Sequence, residues 1–315
     1  MNIWNTLSSP ITVLAPMEDV TDTVFRQIIL RTGRPQLFFT EFTNIDGLLS
    51  PLGSEKVAQR LKFIPEEKPL IAQIWGNDPE KFRQAAEKIV QMGFNGIDIH
   101  MGCPVKDVVK QGAGGGCIGR TDHVKEILQA TREGAGDLPV TIKTRLGNKT
   151  IQTESWIRFL LEQHLPALTM HLRTIAEQSA VPAHWDEMTK IVEMRNKISP
   201  TTKIIGNGDV MSLSEIREKV ATYGCDGIMI GRGIFHDPWL YSEEKDKSLS
   251  DRLTLLKEHV ELFDKTWQGQ KPFQVLKKYF KIYLNGFDGA SKLREQFMLT
   301  QSSDAAIKLV EEILH

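Results

Sequence analysis

The sequence predicts an α/β fold, a (β/α)8 TIM barrel followed by a small C-terminal helical domain. Eight short apolar segments recur between residues 11 and 230, most of them separated by stretches with helical periodicity or by long loops. Polar or reactive side chains fall at the C-terminal ends of all eight, which is where a barrel assembles its site. The runner-up is an open doubly wound sheet, disfavoured because no strand–GxGxxG–helix unit occurs.

The segments are expected in this order. Ile11 to Ala15 is a strand stopped by Pro16, and residues 22–32 carry the apolar stripe Val24, Phe25, Ile28 and Ile29 of a helix. Gln36 to Phe42 is the second strand; the glycines and prolines of 43–69 leave its helix short or broken. Leu70 to Trp75 is the third, followed by a helix with Asp78 as cap and Pro79 in its first turn. In the fourth, Ile97, Ile99 and Met101 alternate with Asp98 and His100, and Pro104 ends the strand because it has no N–H to donate. Helix 121–133 leads to strand 140–144, helix 153–164 to strand 167–172, helix 185–197 to strand 203–206, and helix 212–222 to strand 226–230. After Pro238-Trp239 the composition shifts. Residues 241–251 are a charged linker, and the expected domains are 1–241, the barrel, and 242–315, helical.

Composition narrows the function classes. With 315 residues, 41% hydrophobic and 25% charged, the chain is an ordinary globular one. Its net charge of −1 excludes a whole-molecule polycation, so nucleic-acid binding requires a local patch. Three cysteines with no CxxC pair suggest reduced thiols and a cytoplasmic home, and no His/Cys cluster has metal-ligand spacing. No signal peptide and no membrane span is expected.

The chemistry centres on residues 96–117. Cys103 sits at the lip of the fourth strand, beside a run with glycines at 112, 114, 115, 116 and 119. A thiol there is either a small buried apolar residue or a reactive group over a cleft. Around it fall Pro16-Met17-Glu18, Glu41, Gln73, His100, Lys143 and Arg145, His171 and Arg173, Asn207-Gly208-Asp209, and Gly231-Arg232-Gly233. Glycines after the last two strands let backbone N–H groups approach an anion, as in the phosphate sites of many barrels. Residues 271–294 hold Lys271, Lys277, Lys278, Lys281, Lys292 and Arg294 against one acid, Asp288. Lys277 and Lys281 share a helix face by i,i+4 spacing, while the interleaved aromatics are expected in the core.

The motifs APMEDVTD (15–22), FFTEF (38–42), QIWGNDP (73–79), MGCPV (101–105), IKTRLG (142–147), HLRT (171–174), IIGNGDV (204–210) and GCDGIMIGRG (224–233) resemble those of the dihydrouridine synthases, FMN-dependent enzymes that reduce uridine in RNA, chiefly tRNA. The likeness continues through LKKYFKIYLNGFDGASKLREQF (276–297). It implies FMN as cofactor, NADPH as electron donor, tRNA as macromolecular partner, and a monomer with no membrane attachment. Pro16, Met17 and Glu18 would line the flavin, Gln73 would bond its pyrimidine edge, and Lys143 would stabilise its anionic reduced form. His171 would touch the cofactor, and Asn207, Gly208, Asp209, Gly231 and Arg232 would hold its phosphate. Cys103, a thiol of near-neutral pKa, would be the general acid that protonates uracil C5. His100 and Arg145 would hold the base, and Lys277, Lys278 and Lys281 the RNA phosphates. The chain departs from the family where Asn is usual (His100), where a basic residue is common (Ile175) and where Tyr is usual (Ser179), so an altered base pocket is expected. Two competing readings are a flavin-dependent oxidoreductase of a free pyrimidine and an inactive RNA-binding relative.

Overall fold

The computed structural model describes residues 2–243 and 247–314. Eight parallel strands close into a barrel: β1 (Ile11–Leu14), β2 (Leu37–Phe39), β3 (Leu70–Trp75), β4 (Gly96–Met101), β5 (Val140–Arg145), β6 (Ala167–His171), β7 (Lys203–Asn207) and β8 (Gly227–Ile230). Each pairs with its sequence neighbour, and β1 closes the ring on β8 with Ile11 opposite Gly227 and Leu14 opposite Ile230. After β2 the chain makes one more short pairing, Thr43–Asn44 alongside Ile74 and Trp75. One end of the barrel is filled by Val13, Ala15, Leu37, Phe39, Ile71, Ala167, Ile205 and Met229, with Trp4 packed among them.

The connecting helices are α1 (Thr23–Thr32), α2 (Pro79–Met92), α3 (Thr121–Ala135), α4 (Asp186–Ile198) and α5 (Leu213–Tyr223). In α2 the cap is as expected: the Asp78 carboxylate accepts from Lys81 N at 3.1 Å, and Pro79 occupies the first turn. The connection after β2 is short and broken, as expected, and a later one differs from expectation. Residues 45–58 form two five-residue helices, Ile45–Leu49 and Ser54–Ala58. The helix expected over 153–164 is a π-turn, Thr153–Ile157, passing into one α-turn, Arg158–Leu161. Two anchors hold the π-turn: Thr153 Oγ1 donates to Glu187 at 2.6 Å and Trp156 Nε1 donates to Thr144 Oγ1 at 3.1 Å.

The chain forms two compact units. The first takes the residues up to Thr23, Pro35–Val210 and Ser214–Gly231; the second takes Val24–Arg34, Met211–Leu213 and the chain from Arg232 onward. The single expected boundary at 241/242 therefore differs from the observed division. The reason lies in α1, whose Phe25 stacks on Tyr279 at 5.4 Å and whose Thr32 hydroxyl donates to Pro238 O at 2.6 Å, all within the second unit. Of the predicted linker, residues 244–246 lie outside the described residues, and Tyr241 is buried. The second unit continues with α6 (Leu249–Trp267), α7 (Ala290–Leu299) and α8 (Ser303–Leu314). A capping box opens α6, in which Ser248 and Asp251 satisfy each other's backbone N–H.

Candidate active site

The parallel register assembles the predicted residues into rows across the barrel. Gln73 lies opposite Asp98, and Asp98 opposite Thr141. One step up, His100 lies opposite Lys143 and Lys143 opposite Thr169. Above that, Arg145, His171, Asn207 and Met229 follow one another around the wall.

Asp98, which sequence patterning treats only as a strand residue, is the hub of the lowest row. It is fully buried and accepts from Gln73 Nε2 at 2.8 Å and Thr141 Oγ1 at 2.6 Å. Burial pushes its carboxyl up to about 6, against the lowering pull of those donors and of Lys143. Burial likewise pulls the Lys143 ammonium down to about 8, with Arg145 adding repulsion and Asp98 opposing it. Because Gln73 gives its NH2 to Asp98, its Oε1 is turned the other way and stays buried without a partner. A buried orphan acceptor of this kind normally has a ligand or water to meet. The alternation that placed Asp98 on the same face as His100 was the one available signal for it.

Cys103 is buried, as are Cys117 and Cys225. The loop 112–117 roofs it: Gly115 N donates to Cys103 O at 3.0 Å, and a Cβ on Gly114, at φ +55°, would stand 2.8 Å from Cys103 Cβ. The near-neutral thiol expected from the resemblance is not found. Burial pushes the Cys103 thiol above its usual 9.0, partly offset by a backbone hydrogen bond at Val105 and by Arg145. Cys103 therefore keeps its proton through neutral pH. Arg145 is locked in place by Gly102 O at 2.9 Å, Thr174 O at 3.1 Å and Gln178 O at 2.8 Å. His100 stacks on Phe42, centroids 5.1 Å apart, with Nδ1 buried and unpartnered. Burial, then Lys143 and Arg145, hold its imidazole well below the usual range, so it is neutral. Ile175 packs beneath Gly115 of the roof, and Ser179 is exposed.

The remaining strand ends carry an ion pair that the sequence did not assign. Arg173, almost wholly buried, donates to the Asp209 carboxylate and, at 2.6 Å, to Val181 O. It also lies 3.4 Å from His171 Nε2. The Asp209 carboxylate takes Ala183 N as well, at 2.8 Å, so its work is to hold this turn. Gly208 has φ +137°, and a Cβ there would reach Ala183 Cβ at 2.8 Å, so only glycine fits. Asn207 Nδ2 donates to Met229 O at 2.8 Å. Gly231 has open space beside Ala15 and Met17, and Arg232 begins the turn Arg232–Phe235 at the start of the second unit. Pro16 is buried, Met17 and Glu18 half-buried, and Glu18 is held by Arg60, whose Nε donates at 2.8 Å.

In the second unit the continuous helix expected over 277–281 is instead a 3-10 stretch, Phe273–Tyr279, turning into one α-turn, Phe280–Tyr283. Within the 3-10 stretch the buried residues are Leu276 and Tyr279, three positions apart, which suits the three-residue turn. Lys277 donates to Met298 O at 2.7 Å, Lys278 lies 5.3 Å from the Tyr279 ring centre, and Lys281 lies 5.4 Å from that of Phe235. Of the interleaved aromatics expected in the core, Tyr279, Phe280 and Tyr283 are buried there, whereas Phe273 and Phe287 are only half-buried.

The barrel, the orphan acceptor of Gln73, the cation of Lys143 and the glycine turn after β7 together fit a flavin mononucleotide, whose pyrimidine edge offers an N–H and whose tail is a phosphate. The class of protein this defines is a TIM-barrel flavin-dependent oxidoreductase. The family model described as dihydrouridine synthase matches residues 13–315, and the chain belongs to that family. It is 45% identical over 314 residues to a "Probable tRNA-dihydrouridine synthase" of Staphylococcus aureus (strain MRSA252), covering 99% of this chain and 95% of that one. It is 43% identical to the "Probable tRNA-dihydrouridine synthase 2" of Bacillus subtilis (strain 168), covering 99% and 96%. Among solved structures the fold is similar to morphinone reductase, with a TM-score of 0.54 and 13% identity over 76% of this chain and 87% of that one.

Proposed function

We propose that this chain reduces the C5=C6 bond of specific uridines in tRNA to 5,6-dihydrouridine, with FMN as its flavin and NADPH as the electron source. The observation that carries this reading is a buried thiol, Cys103, two residues past the end of β4, the strand whose Asp98 bonds Gln73 of β3 and whose His100 lies opposite Lys143 of β5. Bound FMN supplies the hydride that adds at uracil C6. Cys103 Sγ holds the proton that C5 takes up, and the fixed guanidinium of Arg145 eases its release by favouring the thiolate. Gln73 and Lys143 hold the flavin's pyrimidine side, with Pro16, Met17, Glu18 and His171 against the ring system. The backbone around Asn207, Gly208, Asp209 and Gly231, with Arg232 next in the chain, takes its phosphate. Neutral His100 offers its free Nδ1 to the edge of the uracil. Lys278 and Lys281 meet RNA phosphates, and the target base leaves its stack to reach the site.

The test is a position-resolved mass-spectrometric map of dihydrouridine in tRNA and rRNA from cells lacking the gene, complemented with wild type or Cys103→Ala. Loss at a defined tRNA position, restored by wild type alone, is expected. An unchanged map, together with turnover of a free pyrimidine by the purified protein, would overturn the reading.

A further inference from the structure

Within the barrel unit, beside the loop that covers Cys103, lies an open cleft of about 470 Å³ that the chemistry above leaves unused. It is within the size range of small-molecule sites, ~300–1,000 Å³. Its walls include Asn44, Asp46, Trp75, Asn77, Asp78 and Gln111. The register that sets Asn44 opposite Trp75 places an amide beside a half-buried indole.

Both asparagine amides have a fixed orientation. Asn44 Oδ1 accepts from Gly47 N at 2.8 Å. Asn77 Oδ1 accepts from Arg120 Nη1 at 3.2 Å and faces His123 Nε2 at 2.8 Å. Asn77 Oδ1 is thereby fully engaged and Asn44 Oδ1 keeps one acceptor site, while the NH2 of each amide is left to donate. Each carboxylate is also partly engaged, Asp46 by Lys81 Nζ at 2.5 Å and Asp78 by Lys81 N at 3.1 Å, and each retains acceptor capacity. Among the described residues, no lysine or arginine lines the cleft. The nearest cations, Lys81 and Arg120, are engaged by Asp46 and Asn77, so the walls do not favour a phosphate. They suit an aromatic ring with acceptor atoms on its edge, joined to a group carrying hydroxyl donors, which describes a nucleobase and its ribose.

The position says which nucleoside. Gln111 and Ala113 belong to the same loop as Gly114, which lies against Cys103. Arg120 ties that loop to the cleft by donating to Gly112 O at 3.2 Å as well as to Asn77. We propose that the cleft binds, by base and ribose, a nucleotide flanking the reacting uridine in the RNA strand. Trp75 is the stacking platform, and the NH2 groups of Asn44 and Asn77 meet acceptors on the base edge. This rests on the uridine-reduction reading.

The test uses the full-length holoenzyme and a tRNA transcript containing the uridine that the dihydrouridine map identifies. Stacking of one base on an aromatic side chain predicts that Trp75→Leu raises the KM for tRNA by roughly five- to a hundredfold with kcat unchanged, and that Trp75→Phe restores most of it. Placing an abasic nucleotide on one side of the target uridine should weaken wild type by a similar factor and Trp75→Leu no further. If Trp75→Leu loses its flavin on purification, the abasic transcripts on wild type and Trp75→Phe carry the test. An unchanged KM, or abasic and Trp75 effects that multiply, overturns the assignment. So does a change in NADPH affinity with tRNA affinity kept, which would give the cleft to the other nucleoside. Failure of wild type to form any dihydrouridine in tRNA would instead sink the underlying reaction, whatever Trp75 does.

Discussion

Gly114→Ala isolates the contact between the roof loop and Cys103. A Cβ at this position would stand 2.8 Å from Cys103 Cβ and 3.0 Å from Val108 Cγ1, and neither neighbour is the free end of a long side chain. The backbone there is left-handed, φ +55°, which penalises any L side chain by about 1–2 kcal/mol. The overlap adds about 1–3 kcal/mol, relieved only if the roof lifts or Cys103 turns aside. Gly119→Ala is the matched control. Its φ is +87°, with the same kind of backbone penalty, but an added Cβ would meet nothing within 4 Å. A displacement of about 1 Å at a reacting group can remove about a hundredfold in rate. Gly114→Ala should therefore lose roughly ten- to a hundredfold in tRNA reduction, measured as dihydrouridine formed in a single turnover, while NADPH still reduces its flavin. Gly119→Ala should behave like wild type in both half-reactions. Equal rates for the two variants would refute the claim that roof contact sets the position of Cys103.

Three further outcomes follow from the charges. Since burial pulls Lys143 down to about 8, its ammonium is lost as pH rises through that value, and flavin affinity measured by fluorescence titration should fall above about pH 8 in wild type but stay level in Lys143→Arg. Asp98 has its carboxyl raised from 3.8 to about 6, so the native state binds more protons than the unfolded chain between those values, and its contribution to stability is present below about pH 4 and lost by about pH 6. The stability of Asp98→Asn relative to wild type, from urea melts, should accordingly move in the variant's favour by about 3 kcal/mol across that window. Lys281 is exposed whereas the Lys277 ammonium is engaged by Met298 O; Lys281→Gln should reduce the slope of log affinity for tRNA against log salt by about one, and Lys277→Gln by less.

The barrel was legible because its strands are short apolar runs set between helices; most strand bounds fall within a residue of expectation, while β2 ends at Phe39 and not at the expected Phe42. Three features were not legible, each for a physical reason. The assignment of α1 to the second unit depends on Phe25 meeting Tyr279, a contact between residues more than two hundred positions apart. The 3-10 and π segments at 273–279 and 153–157 contain residues compatible with an ordinary helix, and tertiary anchors such as Trp156 to Thr144 select the variant form. The roles of Asp98 and Arg173 depend on partners from other strands and loops, Gln73 and Thr141 for one, Asp209 and Val181 O for the other. Motif spacing located the site residues along the chain, but not the hydrogen bonds that orient them.

Those hydrogen bonds show how one barrel can be a stable core at one end and a reactive site at the other. Along single strands the inward series changes from apolar to polar toward the C-terminal end: Ile71 then Gln73, Ile205 then Asn207, Ala167 then Thr169 and His171. The apolar end needs no partners and supplies the packing. The polar end is removed from water almost as fully, so desolvation dominates there, raising Asp98 and lowering Lys143 and His100 together. Opposite charges moved toward neutrality interact more weakly with each other and are left open to a third partner. Gln73 Oε1 and His100 Nδ1 remain unsatisfied for the same reason, since their strands hold them rigidly in register with no neighbour in reach. Preorganised groups of this kind gain their full interaction only when a ligand fills the mouth, so the unsatisfied polar end is the part of the fold from which binding energy is drawn.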